Sequence, residues 1–595
     1  MPERHADDNP RDRPSLRDAL VFRAKATLLQ MNRAARNVLG SESKHYPVRD
    51  ELSGEAVAGQ SETRLWTADD AAERHLLAGK VHNLRLALRR LNGVEVPAGA
   101  VFSFWAHVGR PVRRRGYVAG RELREGCIIP TVGGGLCQLS NALYDAALKA
   151  GFEIVERHAH TQVIPGSLAE VGRDATVFWN YVDLRFRATH PFRIEASMDA
   201  NALTVRFRGG AVRVSRPARP AEKKLTVVQA SHAPNSCVTC NVHECFRHVG
   251  QRTAEFGRTA YLVDEFYPEF DGYISNARRV QDLLAVPLDG KRLGKANYAW
   301  STEGFLHVKQ SRAATLRRAY ESRRLASQGA ARQRALLAHS ERLAKSYAAL
   351  LEYDVTHVTL SQNLLPYLWR DGHLGGRTFD VLMTALPLAL LHERLDAASA
   401  LNPESETLAD FRADERLVRA EAEALRHARR IITPHTEIAA LYRDKATPLD
   451  WAVPPKADKT RPPFQAAAGT KVAFPAPTAG RKGAYELRAA VQGLGVRLVL
   501  LGAQLEGADF WRGVSVEQRA GGGDWLEGVG LVVLPAFVEH RPRRLLEAVA
   551  RGVPVVASTA CGLENVEGVI SIPFGDVEAL RAEIMRVAAR AHEPA

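Results

Sequence analysis

Val532–Thr559 reads VVLPAFVEHRPRRLLEAVARGVPVVAST. An apolar run ends at Pro535, a polar loop carries Glu539, Pro542 suits the first turn of a helix, and a second apolar run follows Gly552. Strand, loop, helix and strand in that order form the repeat unit of a parallel sheet flanked by helices. Further apolar runs at Lys471–Phe474, Arg497–Leu501 and Val569–Ile572 are each followed by a turn or a helical stretch. Residues 465–595 are therefore expected to fold as one Rossmann-like α/β lobe. Glu539 and Glu547 stand eight residues apart, one in the loop and one about a turn into the helix, so both can face one crevice. Carboxylates accept hydrogen bonds from paired hydroxyls, such as those of a sugar and a ribose. Arg481 and Lys482, in TAGRKGAYELRAA, enter the lobe's first helix, where cations and a helix N-terminus suit a diphosphate.

Toward the N-terminus, Trp451–Phe464 contains two proline pairs and marks a lobe boundary. Before it, the β-rich runs Leu225–Ala230, Ala260–Asp264, His357–Ser361, Val381–Thr384 and Arg430–Thr433 alternate with helical stretches, which predicts a second parallel-sheet lobe over 225–450. A long alanine- and arginine-rich helical region, Gln310–Leu351, reads as an excursion from that sheet. Ser236–His248 (SCVTCNVHECFRH) follows the first of these runs and holds Cys237, Cys240 and Cys245 with His243 and His248. That is the ligand set of a closed zinc site; an iron–sulfur cluster needs similar thiolates, and free or redox-active thiols are the alternative. His357, His373 and His435 are further histidines that no spacing singles out.

Ser215–Lys224 (SRPARPAEKK) reads as a linker, and 68–214 as an α+β domain with a basic helix at Lys80–Leu91. Within it, Thr131–Tyr144 (TVGGGLCQLSNALY) leads three glycines into Cys137 and then into a helical pattern. A cysteine in the first turn of a helix sits where free amides and the helix dipole favour a thiolate. Glu156–His160 (ERHAH) supplies His158 and His160, and Asp174 or Asp183 can orient one of them, so a cysteine, histidine and carboxylate triad is in reach. The alternative is a small core cysteine beside a tight turn. Residues 1–67 comprise an amphipathic helix from Ser15 and a linker; the basic face of that helix suits its own protein or anionic lipid.

The chain has 595 residues, 46% hydrophobic and 25% charged, which is the composition of several ordinary globular domains. Its net charge of +14 favours polyanionic partners. No RNA-recognition or paired-histidine finger signature accompanies that charge, so no specific nucleic acid is expected. Neither a secretory signal nor an apolar stretch of about 20 residues is evident, which places the expectation in the cytoplasm.

Two resemblances follow from these motifs. Asn83–Gly109 (NLRLALRRLNGVEVPAGAVFSFWAHVG), then RRRGYVAGRELREG, GGGLCQLSNALYDAALKAGFEIVERHAH and Gly172–Phe186 (GRDATVFWNYVDLRF) resemble the VanW family over about 83–209. That family is associated with glycopeptide-resistance clusters and cell envelopes, and the resemblance implies no settled reaction. The Glu539 to Glu547 spacing, the following GVPVVAS and Gly562 resemble retaining glycosyltransferases of the GT-B architecture, typified by bacterial group 1 transferases. This second resemblance is specific in 471–590 and weaker in 225–450. It implies that Glu539 contacts the donor sugar, Glu547 the ribose, and Arg481 and Lys482 the diphosphate, with Gly562 in a neighbouring loop. It further implies a nucleotide diphosphate sugar donor and an envelope-precursor acceptor, lipid-linked or polysaccharide; positive charge beyond what the donor phosphates use could hold the protein at the inner face of the cytoplasmic membrane, where lipid-linked acceptors reside. The expected fold is multidomain: an α+β domain followed by two Rossmann-like α/β lobes. The alternative function is a cysteine enzyme, or an envelope-assembly binding protein, whose transferase-like lobes only bind ligand.

Overall fold

The computed structural model describes residues 20, 24–25, 27–33, 44–66, 73–124, 127–160, 168–179, 181–210, 256–325, 329–455, 471–520 and 524–590. The cysteine cluster Cys237, Cys240, His243, Cys245 and His248, the run Leu225–Ala230 and the linker at 215–224 lie outside them. The described residues divide into two compact units. Unit 1 runs to Arg258 and adds Leu351–His357 and Asp371–Thr378; unit 2 comprises the remainder.

Unit 1 is α+β. Its larger sheet is antiparallel and has the order β1-β9-β8-β2, from β1 (Val57–Arg64), β2 (Glu95–Val96), β8 (Phe192–Met198) and β9 (Ala202–Arg208). β3 (Val101–Ser103), β7 (Arg185–Arg187) and β6 (Glu153–Glu156) form a second sheet, and β4 (Ala119–Arg124) pairs with β5 (Cys127–Val132) as a hairpin. Strict alternation along β9 buries Leu203, Val205 and Phe207, as a half-buried strand requires. Opposite, α1 (Arg74–Leu91) turns Leu77, Val81, Leu84, Leu88 and Leu91 inward at helical spacing. The second long helix, α2 (Leu136–Lys149), starts directly after the three glycines and buries Leu139, Leu143, Ala146 and Ala147.

Unit 2 contains two parallel-sheet lobes, in keeping with the fold class expected from the sequence. The first sheet has the order β12-β11-β10-β13-β14-β15-β16, built from β10 (Arg258–Leu262), β11 (Leu283–Val286), β12 (His307–Gln310), β13 (Val355–Ser361), β14 (Thr378–Leu382), β15 (Arg430–Thr433) and β16 (Ala446–Pro448). The second has the order β19-β18-β17-β20-β21-β22, from β17 (Lys471–Phe474), β18 (Arg497–Leu500), β19 (Ser515–Gln518), β20 (Val529–Leu534), β21 (Val555–Ser558) and β22 (Val569–Ile572). All five neighbouring pairs of the second sheet run parallel. Numbered within each lobe, both orders begin 3-2-1-4-5-6, the doubly wound arrangement in which ligands sit beyond the carboxyl ends of strands 1 and 4.

The helical region at Gln310–Leu351 is two helices, α4 (Arg312–Arg323) and α5 (Ala330–Ala348), following α3 (Pro268–Ala277) in the chain. They are not an excursion. The chain leaves the edge strand β12 and must cross β11 and β10 to reach β13, and this pair is the crossover. β10 lies between β11 and β13 in the first sheet, and the segment that follows it, Val263–Tyr267, is acidic and aromatic. Among the described residues no helix is long and apolar enough to cross a membrane.

Candidate functional site

In unit 1 the glycine turn is a steric necessity. Gly135 caps α2 at φ +96°, and a Cβ there would lie 2.1 Å from Lys80 Cγ. Gly135→Ala should therefore destabilise unit 1 by about 2 kcal/mol or more, the backbone strain alone accounting for roughly 1–3 kcal/mol. Gly151, at φ +71°, has nothing within 4 Å of the place a Cβ would take, so it is the control that isolates the backbone cost. Denaturant midpoints of Gly135→Ala and Gly151→Ala should differ, with Gly135→Ala the lower.

The turn sets Cys137 as the second residue of α2. Its Sγ lies 3.8 Å from Thr176 Oγ1 and 3.8 Å from Val177 O, and it is hydrogen-bonded to His160. His160 Nδ1 is 2.5 Å from Asp174 Oδ1, and the His160 amide donates to Asp174 Oδ2 at 2.5 Å. Because Nδ1 is taken by the carboxylate, the bond to sulfur runs through the other ring nitrogen. Asp174 is fully buried. The segment that carries it is fixed to α2, since Ser140 Oγ donates to Ala175 O and the Ala175 amide donates to Asn141 Oδ1 at 2.8 Å. An antiparallel bridge between His158 and Thr176 closes the other side.

Electrostatics follow from this geometry. Burial pushes the Cys137 thiol up, but the hydrogen bond and charge of His160, with Val177 O and Thr176, more than reverse that, so the thiol lies below its ordinary value. Burial pushes the His160 imidazole down, yet Asp174 and Cys137 hold it up at about 10. Both shifts favour a thiolate beside an imidazolium that a carboxylate orients. His158 lies elsewhere: it is half exposed, 3.5 Å from Glu156 Oε1. Asp183 is also separate, accepting from Ser103 Oγ at 2.6 Å and Arg185 Nε at 3.0 Å. Of the two carboxylates weighed from the sequence, Asp174 is the one at the histidine.

In unit 2 the carboxyl ends of β17 and β20 bring Lys482 to Glu539. Lys482 Nζ donates to Glu539 Oε2 at 2.8 Å and to Val538 O at 3.0 Å, while Glu539 Oε1 accepts from the amides of His540 at 2.9 Å and Arg541 at 2.7 Å. Burial pushes the Glu539 carboxyl up, but Lys482, His540 and the Arg541 amide outweigh it and hold the group at about 2. Arg481 stacks its guanidinium 4.2 Å from the centroid of Phe411. Glu547 has partners of its own. It lies in α7 (Arg543–Ala550), α6 (Ala484–Val491) being the lobe's first helix, and accepts from Trp525 Nε1 at 3.1 Å while pairing with Arg551 at 3.1 Å.

The geometry adds residues that spacing did not reveal. His435, just beyond β15, is buried with Nε2 3.3 Å from Glu539 O and 3.3 Å from Ala560 O. Gly562 makes room for it: at φ +62°, a Cβ there would lie 2.3 Å from His435 Nδ1. At the carboxyl end of β10, Arg318 Nη1 bonds both oxygens of the buried Asp264, at 2.9 and 3.1 Å, and Nη2 bonds Glu265 at 2.8 Å. Arg541 reaches the same Glu265 at 3.0 Å, and Arg543 grips Glu269 through both nitrogens at 2.7 and 2.6 Å. The only sequence signal for these partners is position at a strand end. Among the described residues no group of three or more metal-ligating side chains is present.

Residues 79–208 match the family model described as VanW like protein. The chain carries a VanW-type domain. Over 106 residues it is 38% identical to the uncharacterized protein YoaR of Bacillus subtilis (strain 168), covering 18% of this chain and 34% of that protein. It is 35% identical over 111 residues to the vancomycin B-type resistance protein VanW of Enterococcus faecalis (strain ATCC 700802 / V583), covering 18% and 40%. The chain thus spans between about a third and two-fifths of the length of these relatives. Among solved structures, it is similar to sucrose-phosphate synthase from Thermosynechococcus elongatus, at 17% identity and TM-score 0.36 over 56% of this chain and 90% of that one. It is also similar to Anabaena Alr3699/HepE in complex with UDP, at 16% identity and TM-score 0.32 over 56% and 93%. Cys137, His160 and Asp174 all fall inside the VanW-type domain.

Proposed function

We propose that unit 2 is a retaining glycosyltransferase that moves a sugar from a nucleotide diphosphate donor to a cell-envelope or polysaccharide precursor. The observation that carries this reading is the Lys482–Glu539 pair at the carboxyl ends of β17 and β20, where a doubly wound sheet takes its ligand. In the free protein, Lys482 neutralises Glu539. A donor diphosphate would compete for the Lys482 ammonium and recruit Arg481, leaving Glu539 to accept hydroxyls of the sugar. Glu547 would have to exchange Trp525 or Arg551 for a ribose hydroxyl. Charge in excess of what a diphosphate uses suits an anionic leaflet on the cytoplasmic side, where lipid-linked acceptors reside. The test is slow hydrolysis with water as default acceptor. The full chain, incubated with a panel of nucleotide diphosphate sugars, should release the nucleoside diphosphate from one of them, with the freed sugar first seen by proton NMR in the donor's anomeric configuration. Release with inversion contradicts the retaining mechanism, and no release from any donor contradicts the transferase.

The Cys137–His160–Asp174 geometry favours a second reading, a cysteine acyl-transfer centre in the VanW-type domain, with Cys137 and His160 acting on substrate and Asp174 positioning. The Cys137 thiolate would attack an acyl carbon, forming a C–S bond as the C–N or C–O bond breaks and His160 gives its proton to the leaving group. Water or an amine would then displace the thiolate, returning a proton to His160. His158 has no part in this chemistry. The cysteine cluster Cys237, Cys240, Cys245, His243 and His248 stays a proposed structural zinc site, with iron–sulfur as its competitor.

A further inference from the structure

α1 presents two polar side chains, three residues apart, to the glycine turn. Asn83 is fixed there: its Nδ2 donates to Val118 O and Gly134 O, each at 3.0 Å, and its Oδ1 accepts from the Val118 amide at 3.0 Å. Lys80 behaves differently. Its aliphatic chain runs across the Cα of Gly135, so that a Cβ there would meet Lys80 Cγ at 2.1 Å, Cβ at 2.9 Å and Cδ at 3.0 Å. The residue is only 6% exposed, and its side chain forms no hydrogen bond or ion pair among the described residues. The charged group nearest in effect is Arg121, a second cation, itself 3.2 Å from Glu73 Oε2. The buried methylenes of a lysine with no carboxylate of its own lie against the capping residue of a 14-residue helix whose first-turn amides lack acceptors four residues back.

The Gly133 and Gly134 amides already donate to Val118 O at 3.0 Å and Thr131 O at 2.8 Å; we propose that Lys80 and the N-terminus of α2 at Gly135 form an anion subsite of the Cys137 centre, which takes a carboxylate on the substrate. The inference rests on Cys137 acting as a nucleophile. Gly135 precedes Cys137 by two residues, so the bound carboxylate lies beyond the acyl carbon rather than on it, and the subsite selects substrates instead of stabilising the tetrahedral oxyanion. An anion would supply the counter-charge that the fold withholds from Lys80, and the positive end of α2 adds to the attraction. A neutral substrate gains none of this. Burial and the Arg121 charge hold the Lys80 ammonium down at about 7, and a bound carboxylate would raise it.

Two alkylating reagents separate this proposal from the reading beneath it. Iodoacetamide is neutral and iodoacetate carries a carboxylate; with either, the thiolate forms a C–S bond and iodide leaves. Rates at Cys137 of the full chain are followed by mass spectrometry and divided by the rates for free cysteine. The expected result is an iodoacetate-over-iodoacetamide preference about tenfold above that of free cysteine, the scale of one hydrogen bond to a charged group. Lys80→Met should abolish the preference, each rate being divided by the same protein's iodoacetamide rate, and Lys80→Arg should retain it. Equal normalised rates in the unmodified protein would overturn the subsite without needing any variant, and a preference undiminished in a folded Lys80→Met protein would do the same. If Cys137 reacts with iodoacetamide no faster than free cysteine does, the nucleophile reading fails and the subsite with it.

Discussion

Glu539→Gln is expected to lower sugar transfer by about a hundredfold or more, the loss typical when one preorganised charged contact to a reacting group is removed. The substitution keeps the side-chain shape but removes the charge that Lys482 and two backbone amides are built around. Its effect on stability has a distinct pH signature. The folded carboxyl sits at about 2, below the ordinary carboxylate range, so the ionised pair contributes stability above pH 4.5 that is lost as pH falls through about 2. The stability gap between the unmodified chain and Glu539→Gln should therefore be widest at neutral pH, about 3 kcal/mol for a pair nine-tenths buried, and close in acid. Because removing either partner strands the other, Lys482→Met on top of Glu539→Gln should cost less than the two single changes added together. Denaturant titrations at pH 7 and pH 3 measure both effects.

His160→Ala is expected to slow alkylation of Cys137 by iodoacetamide about a hundredfold at pH 7. With His160 gone, burial drives the thiol upward against only the contacts to Val177 O and Thr176, so at neutral pH only about one thiol in a hundred is ionised, as for an ordinary cysteine. In the unmodified chain the rate should reach its plateau at a lower pH than free cysteine does, with His160, held at about 10, protonated across that range. In His160→Ala it should rise tenfold per pH unit through the neutral range. A pH-independent rate that matches in both proteins would dissolve the ion pair. His158→Ala should leave the profile unmoved, since His158 lies beside Glu156.

Much of this architecture is legible because its signals are local. Lys471–Phe474, Arg430–Thr433 and Val569–Ile572 have the strand bounds their apolar runs suggest, and the glycines before Cys137 announce a turn that only glycine tolerates. The exposed strand at Ser515–Gln518 and the short edge strand at His307–Gln310 carry no such run, and so give no signal. With β12 hidden in this way, the crossover helices after it read as an excursion. Site residues divide along the same line. Cys137, His160 and Asp174 lie within 38 positions of one another, close enough for spacing to suggest the triad, although His158 and Asp183 fit equally well until the fold distinguishes them. His435 and Glu539 are 104 positions apart, and Arg541 and Glu265 are 276 apart; only the order of two sheets brings them together. Spacing suggests a crevice role for Glu547 from helical geometry; the same geometry puts Arg551 four residues on as an ion-pair partner, whereas Trp525, 22 residues away, carries no sequence signal, and both hold that carboxylate.

Calorimetric titration of the full chain with nucleoside diphosphates and their sugar conjugates tests the donor site most directly, with Lys482→Met and Glu547→Ala alongside. One conjugate should bind in about the micromolar range and lose roughly 1 to 3 kcal/mol in Lys482→Met, the worth of a hydrogen bond to a charged group. Glu547→Ala should weaken the same conjugate if its carboxylate turns from Trp525 to the ribose. Absence of binding across the whole panel, or binding that Lys482→Met leaves intact, would contradict a donor site at the carboxyl ends of β17 and β20.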